Sequence, residues 1–121
     1  LINAPDDEAK TKLLFLATYL LQPIRDKFGP VVVNSGFRSD AVNRAIGGVA
    51  TSQHRFGEAA DINVEGVNLG MLFAWCKYNL QYGQLIDEKA NGKTWLHISL
   101  PRYGGVNQQS MTMRDGKYEL A

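Results

Sequence analysis

The sequence predicts an α+β fold, a small antiparallel sheet packed against helices. Three observations point there. Apolar residues recur at helical spacing in two segments, 13–28 and 69–80. Short β-branched or alternating runs lie between and after them. Late in the chain, Asn91-Gly92 and Asp115-Gly116 each sit between two such runs and signal hairpins. With 121 residues, one domain spanning 1–121 is expected, large enough for a modest core without staples.

Each element has its own reason. Asp6-Asp7-Glu8 after Pro5 is a helix start, since acidic groups suit the positive end of the helix dipole. Leu13, Leu16, Ala17, Leu20, Ile24 and Phe28 form the stripe this helix buries, and Pro23 should kink it or end its regular part. Val31-Val32-Val33 reads as a short buried strand that runs into Asn34-Ser35-Gly36-Phe37-Arg38-Ser39. Ser39 or Asp40 caps a short helix over 41–46, which Gly47-Gly48 ends. A loop from Val49 to Phe56 leads to the strand Ala59 to Val64. Asn68 caps a second amphipathic helix whose stripe is Leu69, Leu72, Phe73, Cys76 and Leu80. Gln84–Glu88 and Thr94–Leu100 pair through Asn91-Gly92 with a slightly long loop. Met111–Met113 and Lys117–Leu120 pair through Asp115-Gly116 as a terminal hairpin.

Composition excludes several classes. The chain is 45% hydrophobic and 21% charged, which is ordinary for a globular protein and unlike a disordered one. Its net charge of +1 gives no global field toward nucleic acid or an anionic membrane, so neither is an expected partner. No apolar run approaches the length of a membrane span. A single cysteine, Cys76, excludes an internal disulfide framework and suits the buried face of its helix. No signal peptide is visible at the start. The chain opens on Leu1 rather than Met, so a leader removed earlier would leave no trace here. A monomer is the expectation at this size.

The chemistry concentrates in Ser52-Gln53-His54-Arg55-Phe56-Gly57-Glu58-Ala59-Ala60-Asp61. It carries one of only two histidines. The other, His97, lies in the strand-like run Thr94-Trp95-Leu96-His97-Ile98-Ser99. Two histidines and one aspartate form the ligand complement of a catalytic zinc with an open coordination position. Gly57 lets the chain reverse between His54 and Asp61, and small Ala59 and Ala60 let backbone pack closely. Taken singly, each residue has an ordinary alternative: a surface-loop histidine, a turn-capping aspartate, a half-buried strand histidine.

The pattern Ser52-x-His54-x-x-Gly57-x-Ala59-x-Asp61 resembles the signature of the M15 zinc peptidases. Ser35-Gly36-Phe37-Arg38-Ser39 is similar to that family's Ser-Gly-aromatic-Arg element. Trp95-Leu96-His97-Ile98-Ser99 is similar to its Trp-x-His strand. All three occur in the family's order over roughly half of the chain. The resemblance implies the hedgehog/DD-peptidase fold and zinc held by His54, Asp61 and His97. It also implies that Arg38 contacts substrate or the developing oxyanion, where a planar guanidinium suits a carboxylate or oxyanion. Without the motif, Arg38 would read as a surface residue capping the 41–46 helix or paired with Asp40. Ser52 either binds substrate or orders the loop, and Trp95 either lines the cleft or packs the sheet.

A zinc peptidase also needs a proton carrier. Several family members have a glutamate three residues before the last zinc histidine, where this chain has Thr94. Asp87 and Glu88 are the nearest acids and alternate in direction along their strand, so at most one faces the metal. Gln84-Leu85-Ile86-Asp87-Glu88 resembles the Gln-Leu-Ile-x-Glu strand of a related branch, which favours Glu88; Glu65 is a remote third choice. The resulting expectation is a zinc metallopeptidase cutting peptide bonds of bacterial peptidoglycan, of D-Ala-D-Ala carboxypeptidase or L-Ala-D-Glu endopeptidase type. The alternative is a non-catalytic zinc-containing cell-wall binding module of the same fold. A small catalytic domain of this kind suits a phage- or prophage-encoded lysis protein, or an exported one, acting at the cell wall on stem peptides.

Overall fold

The sheet in the computed structural model, which describes residues 2–48 and 52–121, has six strands among those residues. They are β1 (Val31–Ser35), β2 (Ala59–Val64), β3 (Gln84–Ala90), β4 (Lys93–Ser99), β5 (Gln109–Arg114) and β6 (Lys117–Leu120), in spatial order β1-β2-β4-β3-β5-β6. The expected α+β class holds. The sheet is larger than expected, and it is mixed because β3 and β5 run parallel. That pairing requires the chain to leave β4 and cross over before β5 begins.

Four helices lie among the described residues: α1 (Asp7–Leu16), α2 (Gln22–Phe28), α3 (Asp40–Ala45) and α4 (Leu69–Asn79). The Asp6 carboxylate accepts from the Ala9 N–H at 2.8 Å and caps α1. Pro23 does not end the helical run. The turn before it, Ala17–Leu21, widens to π spacing, and the Gln22 N–H reaches back to the Ala17 carbonyl. The missing Pro23 N–H is thereby absorbed, and α2 continues to Phe28. Ser39 caps α3 and Asn68 caps α4, each through its side-chain oxygen.

The core lies between the helices and one face of the sheet. Leu16, Leu20 and Ile24 from the N-terminal helical run meet Leu72 and Cys76 of α4 and Ile62, Leu85, Leu96 and Ile98 of the strands. Ala17 is exposed, contrary to expectation, and Leu21 packs against the core instead, because the π turn shifts the buried stripe. β1 forms where expected but is not buried: Val32 and Val33 remain 51% and 49% exposed. It is an edge strand with a single neighbour, β2. The β3–β4 connection is also tighter than a long loop. Asn91 and Gly92, with φ of 53° and 74°, form a two-residue turn with both central residues left-handed. No helix among the described residues is long and apolar enough to cross a membrane.

Candidate active site

The sheet's second face carries the polar cluster. Alternation along β4 sends Leu96 and Ile98 into the core and His97 the other way. Asp61 of β2 and Ile86 of β3 flank His97 in the same cross-strand row, and the next row pairs Trp95 with Glu88. A cleft of about 600 Å³ opens over these rows.

His54 reaches the cleft from a 3-10 turn, Gln53–Phe56, that Ser52 caps by accepting from the His54 N–H at 3.3 Å. The first part of the expected 49–56 loop, residues 49–51, lies outside the described residues. Gly57 then turns left-handed, at φ 75°, as the reversal requires. A Cβ there would also sit 2.6 Å from the Ala9 carbonyl oxygen, so the position is closed to any side chain. Glu58 and Gln53 pin this turn to the segment after β4. Glu58 accepts from Arg102 through both carboxylate oxygens, and the Gln53 amide donates to the Leu100 carbonyl at 3.0 Å.

The three expected ligands converge. Asp61 Oδ1 lies 2.9 Å from His97 Nδ1 and 3.3 Å from His54 Nε2, and the three donor atoms fall within 4.8 Å of one another. The imidazoles stand edge to face at 5.2 Å. His54 places its other nitrogen, Nδ1, 2.8 Å from the Gly36 carbonyl oxygen. A backbone carbonyl on the remote ring nitrogen fixes the tautomer that leaves Nε2 free, as metal-ligating histidines require. Two imidazoles and a carboxylate are a borderline donor set that suits zinc. Burial works against Asp61 ionising, but the adjoining His54 and His97 imidazoles outweigh it and hold the carboxyl well below its usual range. The ligand is therefore already ionised.

Glu88 lines the same cleft, whereas Asp87 points to the opposite face and pairs with Arg114 at 3.1 Å. Alternation thus separates the two acids as expected. Burial raises the Glu88 pKa. The charge of Asp61 adds to this, while His97, Trp95 and Arg38 oppose it. Arg38 enters from the stretch after β1. Its backbone N–H bonds to the His54 carbonyl at 2.9 Å, and its Nη2 donates to Ser52 Oγ at 3.3 Å. Its Nε is buried without a partner. Burial lowers the Arg38 pKa against the pull of Asp61 and Glu88. Ser52 thus both orders the turn and steadies the guanidinium.

Trp95 is the exception among the expected site residues. It shares a face with His97 but lies outside the main cleft, in a smaller groove with Asn34, Asn63 and Thr94. Two residues of strand carry it about 7 Å past His97. Its indole N–H is buried without a well-formed hydrogen bond, yet it is near enough to favour the Glu88 anion. Glu65 is exposed and does not line the cleft. Cleft residues absent from the sequence-based set include Gln84, Ile86, Arg102, Met111 and Tyr118. Period-two alternation back from Glu88 points to Ile86 and Gln84; Arg102 and Tyr118 have no local signal.

A family model described as Peptidase M15 matches residues 3–99. Over 44 residues the chain is also 46% identical to the zinc D-Ala-D-Ala carboxypeptidase of Streptomyces albus G. That stretch is 35% of this chain but only 17% of that protein's length. The family match runs from the N-terminal helical segment through the last residue of β4 and so includes every converging ligand. The chain belongs to the Peptidase M15 family, and His54, Asp61 and His97 are placed to hold a metal ion.

Proposed function

We propose that this chain hydrolyses a peptide bond in bacterial peptidoglycan stem peptides, of the D-Ala-D-Ala carboxypeptidase or L-Ala-D-Glu endopeptidase type, and acts at the cell wall. The observation that carries the reading is the meeting of His54, Asp61 and His97 with Glu88 and Arg38 in one cleft. Zinc held by His54, Asp61 and His97 would polarise the scissile carbonyl and lower the pKa of the attacking water. Glu88 takes the proton from that water and passes it to the leaving nitrogen as the C–N bond breaks. Arg38 brings a guanidinium to the cleft, and its buried Nε has no partner among the described residues. That suits a substrate carboxylate or the oxyanion, because a charge-assisted hydrogen bond is strongest where water is scarce. A leaving residue that bears a carboxylate is common to both bonds. The S. albus G relative named for D-Ala-D-Ala supports the substrate class.

The test is mass spectrometry of fragments released from purified peptidoglycan, with and without a zinc chelator. Chelator-sensitive release of D-Ala identifies the carboxypeptidase. New L-Ala carboxyl ends with matching D-Glu amino ends identify the endopeptidase. If zinc-loaded protein releases nothing from several wall chemotypes, the reading fails. A binding module has no use for a buried carboxylate at the position of Glu88, so the geometry favours catalysis.

A further inference from the structure

The main cleft has two unlike sides. Arg38, just past edge strand β1, supplies the cation on one. The other is built from β3, β5 and β6, where Ile86, Met111 and Tyr118 line the cleft. The register explains the grouping: Ile86 pairs with Met111, and Glu88 pairs with Met113, which pairs with Tyr118. β5 and β6, which carry Met111 and Tyr118, follow the last family-matched residue, whereas Ile86 of β3 lies within the match.

Tyr118 has no structural duty that explains it. β6 is an edge strand exposed along its whole length, and Tyr118 itself is 57% exposed. Its hydroxyl makes no hydrogen bond among the described residues, although it stands within electrostatic reach of Glu88 and Asp61. A phenol that lines the cleft and whose hydroxyl has no protein partner is free to donate to a bound ligand.

We infer that Ile86, Met111 and Tyr118 form the subsite for the acyl-side residue of the substrate, a small apolar residue such as alanine, with the Tyr118 hydroxyl donating to a peptide carbonyl. The inference rests on the peptidase reading. It follows from laying the peptide across the sheet, with the carboxylate of the leaving residue at Arg38 and the scissile bond over His97. The residue on the acyl side then falls on the β3–β5–β6 side. That residue is alanine in both candidate bonds, and an apolar wall with one donor fits its methyl and its amide.

The test uses zinc-loaded protein and synthetic stem peptides with alanine or leucine at the acyl-side position. Tyr118→Phe should raise KM about three- to tenfold, the worth of one neutral hydrogen bond, with kcat within about twofold. Tyr118→Ala should reduce the preference for alanine over leucine by about tenfold or more, as the wall opens. Zinc content and Tm should match the parent in both. Unchanged KM together with unchanged preference overturns the subsite. If the parent cleaves none of the peptides, the hydrolase reading fails separately, and calorimetric titration of the same peptides decides. Weaker binding by Tyr118→Phe upholds the contact; equal affinity, or no binding by either protein, overturns it.

Discussion

The two faces of the sheet are made from the same strands and do opposite work. On the helix side, Ile62, Leu85, Leu96 and Ile98 close against Leu20, Ile24 and Cys76. On the other side, Asp61, Ile86, Glu88 and His97 line an open cleft. β4 serves both: Leu96 and Ile98 are fully buried, and His97 between them faces the ligands. The division is the two-residue period of a strand put to use. One face supplies the rigidity that holds donor atoms in place, and the other spends that rigidity on mutually close polar groups.

Substitutions on the two faces should therefore separate stability from chemistry. His97→Ala should take turnover to background and zinc content to near zero by elemental mass spectrometry, while the apo protein melts close to the apo parent. Unchanged turnover in that metal-free variant would refute the mechanism. Glu88→Gln should keep zinc but lower kcat by about 10²- to 10⁴-fold, the usual worth of a general base. In the parent, kcat/KM should rise with pH as Glu88 ionises. That limb should vanish in Glu88→Gln. Asp87→Asn, on the other face, should leave turnover nearly intact; if it loses activity instead, the proton carrier has been misassigned.

On the core face, Leu96→Ala should cost about 2–5 kcal/mol in denaturant melts, with near-normal kcat for the folded fraction. An effect confined to alkaline pH concerns Cys76, whose thiol burial pushes from 9.0 up to about 12. The unfolded chain ionises first, so folding stability should fall as pH rises from 9 toward 12, by ~1.4 kcal/mol per pH unit. Cys76→Ala should lack that slope when midpoints are compared across the alkaline range.

The metal ligands were legible through the resemblance of three short motifs to a known family, since the spacing of His54 and Asp61 and a lone strand histidine each have ordinary readings by themselves. Alternation separated Glu88 from Asp87 without any structure. Other features depend on neighbours that no local pattern encodes. Val31–Val33 has the composition of a central strand, yet only β2 pairs with it, so half of each exposed valine faces solvent. Tyr118 and Met111 reach the cleft through the parallel β3–β5 pairing, which no local sequence pattern signals. Glu58 and Arg102 meet across 44 positions, far beyond any periodicity. Trp95 shares the site's face but lines a neighbouring groove that meets the cleft at Asp61, because alternation gives direction and not distance along the strand.

The Asn91-Gly92 turn has a consequence for how such a protein can change over evolutionary time. Because it joins β3 to β4 with only two residues, it locks their pairing, Ile86 against His97 and Glu88 against Trp95. Inserting or deleting one residue so that β4 slips by one would drive His97 into the oil of the core and turn Leu96 or Ile98 toward the substrate. Folding and chemistry would be lost in the same step, with no intermediate for selection to retain. Length variation is thus barred from this hairpin and left to segments outside it, such as the crossover between β4 and β5, whose Gly105, Val106 and Asn107 border the cleft.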